Sequence, residues 1–212
     1  DSFFEITKYF GRGIITGFAR MNGFSIGILA NDSNFYAGSM SADGAKNTTR
    51  FVKLCDTFHI HIVSLVDEPG LLIGPEAEIE ATILHGTEAV LAVTESTVPW
   101  SSVMIRKSYG VAAAAHYGPE GYVLAWPSAE SGPLPLEGGV AVAFKKEIAA
   151  AKDPEAKRKE IEESMSKLQD PFQRAESFSV NEIIYPRETR KYLAHWEKRI
   201  QPQLKEKLLQ LK

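Results

Sequence analysis

The sequence predicts an α/β fold of stacked strand and helix units, and three observations carry that prediction. Two β-rich runs, Ile14 to Met21 and Phe24 to Asn31, are joined by Asn22-Gly23, a pair suited to the positive φ angles of a two-residue hairpin turn. Ile60 to Val66 is a continuous run rich in β-branched residues, the pattern of a buried strand. Between and beyond these runs, apolar residues recur at helical spacing, with connections short enough for alternating units.

The elements follow in order. Ser41 can accept from free amides at a helix start. The helix it opens runs to about Phe58, with Ala45, Val52 and Cys55 on one face. Asp67-Glu68-Pro69-Gly70 ends the strand in a turn. Glu76 opens one long helix with two apolar stripes, Ile79, Ile83, Val90 and Val93 beside Ala77, Ala81, Leu84 and Leu91, which predicts burial on more than one side. A strand from Val98 to Lys107, a short helix from Gly110 to His116, a strand from Tyr122 to Trp126 and a helix from Glu137 to Ala151 come next. Lys152-Asp153-Pro154 breaks that helix, a charged one from Glu155 to Leu168 follows, and Asp170-Pro171 breaks again. The last helix is expected from about Arg187 to Ile200, interrupted at Gln201-Pro202 before Gln203 to Lys212. These breaks divide the chain into an expected core over 1–151 and a helical extension of the same domain over 152–212. No internal repeat or low-complexity stretch is present.

The 212 residues, 44% apolar and 24% charged with net charge −3, suit a single globular domain. Residues 1–144 hold 8 basic against 15 acidic side chains, and residues 145–212 hold 16 against 12. An acidic body argues against nucleic-acid binding, and the alternating signs of the tail read as a solvated helical face. The single Cys55 excludes an internal disulfide and points to a reducing compartment. No run of 18 apolar residues is present to span a membrane. The first residue, Asp1, suggests a fragment or a processed chain.

His59, His61, His85, His116 and His195 fall in no metal-ligand spacing, so no metal site is expected. Nucleophile-elbow, phosphate-loop and dinucleotide-binding glycine motifs are all missing from the sequence. More informative is Arg106-Lys107-Ser108-Tyr109-Gly110-Val111-Ala112-Ala113-Ala114-Ala115, where a strand ends and a helix of small residues begins. Free N–H groups at a helix start carry partial positive charge and can hold an oxyanion. The same residues also fit a plain turn followed by close helix packing.

Further blocks carry a family resemblance. Ser2-Phe3-Phe4-Glu5-Ile6, Ile15 to Gly23, Arg50 to Asp56, Val66-Asp67 with Pro69-Gly70, and Thr97-Val98-Pro99 come before that stretch. Ala125-Trp126-Pro127, Ile184, Pro186-Arg187 and Thr189-Arg190 come after it. In order and spacing the set resembles the C-terminal carboxyltransferase domain of biotin-dependent acyl-CoA carboxylase beta subunits, of the propionyl-CoA and acetyl-CoA carboxylase type.

The resemblance implies a crotonase-like ββα spiral, with two roughly perpendicular sheets and a C-terminal helical extension. It implies transfer of a carboxyl group from N1′ of carboxybiotin to the α-carbon of an acyl-CoA, with backbone N–H groups stabilising negative oxygen. The biotin-side donors would be Gly110 and Val111, where the family carries Gly-Gly, and no side-chain nucleophile is needed. Tyr109, Ala112, Ala114, Pro69, Gly70 and Leu71 would line the substrate and biotin pocket, with Ala114 at its acyl end. Biotin would arrive on a biotin carboxylase or biotin carboxyl carrier subunit, and the domain itself needs no metal. An N-terminal carboxyltransferase domain would complete the site. The assembly would be a homo-oligomer, dimer-based and up to a hexamer, in the cytoplasm or mitochondrial matrix. Two alternatives share these residues: an acyl-CoA decarboxylase subunit running the transfer towards biotin, and a non-catalytic assembly module of the same fold.

Overall fold

The computed structural model describes residues 2–210. Its strands are β1 (Phe4–Ile6), β2 (Ile14–Met21), β3 (Phe24–Asn31), β4 (Ile62–Glu68), β5 (Trp100–Tyr109), β6 (Tyr122–Ala125), β7 (Glu130–Gly132) and β8 (Glu182–Ile183). The helices are α1 (Ala42–Thr57), α2 (Pro75–Ile79), α3 (Thr82–Thr94), α4 (Gly110–Ala114), α5 (Leu136–Ala143), α6 (Lys145–Ala150), α7 (Pro154–Gln169), α8 (Pro171–Glu176) and α9 (Thr189–Gln210). Across the sheet the order is β1-β2-β3-β4-β5-β6-β8, with β7 paired to β5. The first three strands are antiparallel, and every pair from β3 onward is parallel.

The expectation of two sheets gives way to one hydrogen-bonded sheet that forks at β5. Val66 pairs with Met104, but the next partners are Glu68 and Ser108, so β5 spends more residues than β4 over the same length. Such an excess bends a strand and re-aims its end. The first half of β5 accordingly pairs with β6, while Lys107, Ser108 and Tyr109 pair with β7.

Period-two alternation divides the buried side chains between two layers. Ile62 and Trp100 point to one face, where Phe51, Val52 and Cys55 of α1 and Ala89, Ala92 and Val93 of α3 cover them. Val63, Val103 and Leu124 point to the other, where Leu193, Trp196, Ile200 and Leu204 of α9 lie. Ser41 caps α1 by accepting from the Gly44 amide at 3.0 Å. The β2–β3 turn falls at Asn22-Gly23 as expected, with φ of 51° and 89°.

Several helix expectations need correction. The long helix opened by Glu76 is two helices, because Ala81 adopts a left-handed φ of 56°, a conformation costing alanine about 1–2 kcal/mol. Its two apolar stripes are not both covered: Ile79, Ile83, Leu84 and Leu91 are exposed. The helix from Glu137 to Ala151 divides at Phe144 into α5 and α6. The interruption at Gln201-Pro202 does not occur, since α9 runs through Pro202. Proline removes one donor there, and the burial of Ile200 and Leu204 on either side holds the helix together. The final Leu211 and Lys212 lie outside the described residues.

Where α9 meets β4, His61 Nε2 lies 3.8 Å from Glu197 Oε1, with side chains 3% and 0% exposed. Burial pushes His61 down to about 4 from 6.5, and burial also raises Glu197 above the usual carboxylate range, opposed by a hydrogen bond from Gln201. The folded chain thus holds His61 neutral where the unfolded chain would protonate it. Stability from this histidine is complete above pH 6.5 and is lost as pH falls towards 4, by up to about 3 kcal/mol. Glu197 has the opposite sign, since its raised pKa gives stability that is lost as pH rises. Urea unfolding at about pH 7 and about pH 4.5 is expected to show an acid-side loss that His61→Leu reduces. An unchanged slope in that variant would assign the acid loss to other groups.

Candidate active site

The parallel ladder sets Glu68 opposite Ser108, bringing the turn after β4 and the turn after β5 to the same end of the sheet. Asp67 fastens them together. Its Oδ1 accepts from the Lys107 amide at 3.1 Å and from Arg106 Nε at 3.0 Å, and its Oδ2 lies 3.0 Å from an Arg106 terminal nitrogen.

At the end of β5 the chain turns through Gly110, whose φ is +64°. A Cβ there would meet nothing closer than the Pro133 carbonyl oxygen at 3.5 Å, so conformation rather than space calls for glycine. Tyr109 precedes it in extended geometry and no side chain caps α4. The leading N–H groups of a helix have no partner within it, and those of α4 follow directly from this turn. Gly110 and Ala114 are exposed, and Val111 is 60% exposed.

Beside this turn lies a cleft of about 300 Å³. Gly110, Ala113 and Ala114 line it, as do Ser131, Gly132 and Arg174. Tyr117 and Ser108, their hydroxyls 2.7 Å apart, line it together with Met104, Val123, Ser179 and Val180. Burial pushes Tyr117 up to about 12, against the opposing effects of its bond to Ser108 and of the Arg174 charge. Among the described residues, the buried Ser131 hydroxyl has no hydrogen-bond partner.

Beneath the two turns sits a buried polar cluster. Glu68 Oε1 accepts from the Gly70 amide at 2.9 Å and the Met40 amide at 3.3 Å, and Oε2 accepts from Asn31 Nδ2 at 2.9 Å. His116 Nε2 lies 3.6 Å from Glu68 Oε2, both side chains 0% exposed. Its Nδ1 is 2.9 Å from Ser64 Oγ, and its carbonyl accepts from Trp100 Nε1 at 2.9 Å and Ser102 Oγ at 2.6 Å. This cluster fixes the Gly70 turn and the end of α4 to the strands between them.

Of the residues singled out from the sequence, Gly110 and Ala114 meet in the cleft. Tyr109 and Ala112 do not line it. The Tyr109 ring is buried, with its hydroxyl 2.8 Å from Glu130 Oε2 and 3.0 Å from Gln169 Oε1, while Ala112 packs into the core under α1 and α3. Pro69, Gly70 and Leu71 lie in the neighbouring turn, tied by the Met40–Leu71 bridge, and Leu71 packs against Gly86. Sequence reasoning passed over Ser108, Ala113, Tyr117, Ser131 and Arg174 as cleft residues. None of the five carried a signal of its own, although Asp170-Pro171 does mark the start of the helix that bears Arg174, where Asp170 Oδ1 accepts from the Phe172 amide at 2.9 Å. Among the described residues, no group of three or more His, Cys, Asp or Glu is placed to hold a metal.

A forked, mostly parallel sheet covered by helices on both faces, with an uncapped helix start at its C-terminal edge, is a crotonase-like arrangement. The geranyl-CoA carboxylase beta subunit of P. aeruginosa shares the fold, with a TM-score of 0.84 at 21% identity over 92% of this chain and 38% of that one. The chain belongs to the carboxyl transferase domain family, which matches residues 1–208. It is 38% identical over 197 residues to the carboxyltransferase subunit of propionyl-CoA carboxylase from Haloferax mediterranei, covering 91% of this chain and 38% of that protein. The crystal structure of transcarboxylase 12S, a hexamer with methylmalonyl-coenzyme A and methylmalonic acid bound, superposes with a TM-score of 0.85. Identity there is 35%, over 93% of this chain and 39% of the other. This chain therefore spans less than two fifths of the length of these relatives.

Proposed function

We propose that the chain is the C-terminal half of an acyl-CoA carboxyltransferase, which moves a carboxyl group from carboxybiotin to the α-carbon of an acyl-CoA. The observation that carries this reading is the uncapped start of α4 at left-handed Gly110, open to a cleft of about 300 Å³. Bound biotin would bring the carboxyl group on a ring nitrogen. The backbone N–H groups of Gly110 and Val111 would face the oxygen on which negative charge grows, a contribution of a few kcal/mol in comparable sites. Valine donates through its backbone as glycine does, and its side chain, 60% exposed, does not line the cleft. The small side chains of Ala113 and Ala114 leave the cleft open beside that turn.

An N-terminal carboxyltransferase domain would supply the thioester side of the site. Carboxybiotin would come on a carrier or biotin carboxylase subunit. The hexamer of the transcarboxylase 12S relative supports a homo-oligomer, and exposed Ile79, Ile83 and Leu84 provide apolar surface for association. Among the described residues, no helix is long and apolar enough to cross a membrane. One relative, 37% identical, is the mitochondrial beta chain of mouse propionyl-CoA carboxylase, which supports a matrix or cytoplasmic setting.

A second reading has one observation in its favour: the chain is 36% identical over 192 residues to the methylmalonyl-CoA decarboxylase alpha subunit of Propionigenium modestum. The two readings differ in the direction of transfer. Purified chain should show no transfer by itself and should gain it when joined to the N-terminal half of a related carboxyltransferase, read as labelled carboxyl passing between biotin and an acyl-CoA. Turnover by the chain alone would sink the half-site reading. No transfer by the joined protein would favour a non-catalytic assembly module.

A further inference from the structure

The ladder between β4 and β5 is broken at Asp67. Between the pairs Val66–Met104 and Glu68–Ser108, β4 contributes Asp67 alone, and β5 contributes Ile105, Arg106 and Lys107. A strand with surplus residues bends at that place, and the Asp67 side chain spans the gap. Its Oδ1 accepts from the Lys107 amide at 3.1 Å, while Arg106 Nε and a terminal nitrogen reach its two oxygens at 3.0 Å. Asp67 is itself held from behind. Its amide donates to Asn31 Oδ1 at 3.0 Å, and Asn31 Nδ2 donates to the Gly38 carbonyl at 3.1 Å and to Glu68 Oε2 at 2.9 Å. The carboxylate, in a side chain 18% exposed, is a fixed point on β4 that grips the backbone of β5.

Of its two grips, the one on Lys107 bears on the site. Arg106 is 49% exposed, and an ion pair to a solvated side chain contributes little. The Lys107 amide belongs to the strand itself, and a backbone N–H donating to a carboxylate makes one of the stronger hydrogen bonds. A strand advances about 3.3 Å per residue, so Gly110 lies about 10 Å beyond this bond. Over that length a swing of about 6° carries the turn about 1 Å, and misplacement of that size costs a reaction about 100-fold. Pairing of Lys107, Ser108 and Tyr109 with β7 fixes one edge of the strand. Asp67 fixes the other.

Resting on the carboxyltransferase reading, we infer that Asp67 is a positioning residue for transfer. It does not line the cleft. Through the Lys107 amide it sets the direction in which the N–H groups of Gly110 and Val111 point, and with it the strength of their hold on a developing oxyanion.

The test compares Asp67→Ala, Asp67→Asn and Arg106→Gln in the protein joined to the N-terminal half of a related carboxyltransferase. Asp67→Ala should lower kcat at least about tenfold while KM for the acyl-CoA stays within about twofold, the signature of an interaction lost in the transition state alone. Asp67→Asn keeps a carbonyl oxygen for the Lys107 amide and should restore most of kcat. Arg106→Gln removes only the ion pair and should lower kcat by less than about threefold. In the 15N-labelled chain, the Gly110 and Val111 amide resonances should move in Asp67→Ala and stay near their native positions in the other two.

Native kcat in Asp67→Ala below its melting temperature, or an equal loss in Arg106→Gln, would overturn the inference. Should Asp67→Ala fail to fold, Asp67→Glu decides. It keeps the charge and displaces the carboxylate by one methylene, so kcat should again fall about tenfold, and a native rate overturns the inference. An unaltered joined protein without transfer sinks the wider reading instead. The Gly110 and Val111 resonances then judge the positioning by themselves, and overturn it if they do not move in Asp67→Ala.

Discussion

Glu68→Ala is expected to lower the stability of the folded chain by about 3–5 kcal/mol, the range for breaking a buried charged network from one side. Glu68 is 0% exposed and its carboxylate collects donors from three parts of the chain: the Asn31 side chain, the Met40 amide and the Gly70 amide. Alanine would leave the Gly70 amide without its acceptor and His116 Nε2 without its neighbour at 3.6 Å, and would leave Asn31 Nδ2 and the Met40 amide with only the Gly38 and Gly70 carbonyls. Glu68→Gln keeps the shape and one carbonyl acceptor, so it should cost roughly half as much. Urea denaturation gives both values. Hydrogen exchange should place the damage at the Gly70 and Leu72 amides, which flank the Met40–Leu71 bridge. A loss below about 1 kcal/mol for the alanine variant would show that water replaces the carboxylate at little cost.

Gly110→Pro is expected to reduce carboxyl transfer at least about 100-fold in the protein joined to an N-terminal half, as loss of an oxyanion donor does elsewhere. Proline removes the N–H and needs φ near −65°, whereas the native angle is +64°. Gly110→Ala provides the graded comparison, because it keeps the donor and bears only the left-handed strain of about 1–2 kcal/mol. Its transfer rate should fall between those of the native and proline proteins. His116→Ala should behave differently: it removes a fully buried ring whose Nδ1 lies 2.9 Å from Ser64 Oγ and whose Nε2 lies 3.6 Å from Glu68, so melting temperature should drop more than transfer measured below the melt. A variant at His116 that folds normally yet fails to transfer would replace the backbone account with a side-chain acid or base.

The features legible in the sequence were those set by local chemistry. Asn22-Gly23 marks the β2–β3 hairpin and Ser41 the start of α1 because a turn and a cap depend on a few neighbouring residues. Ala81 gives no such sign, since an alanine in left-handed geometry looks like any helical alanine until its neighbours force it there. The three residues of β7 form a strand through pairing with β5, a contact between distant segments. Periodicity indicated alternating strands and helices, and the choice of a crotonase-like fold came from the resemblance. Within the site, Gly110 was legible as a strand-to-helix turn. Tyr109 was not, because its pairing with Gly132 of β7 and the burial of its ring among Glu130 and Gln169 belong to the tertiary structure. Arg174 comes to the cleft from 64 positions beyond Gly110 in the chain, a proximity that no local pattern encodes.

The packing of α9 also governs when this protein can finish folding. Val63 and Val103 wait for Leu193, Trp196, Ile200 and Leu204 to cover their face of the sheet. A ribosome adding about 5–20 residues per second completes β5 several seconds before it makes that helix. During that interval one side of the nascent sheet has no permanent cover, and native closure of the core is delayed until synthesis of α9.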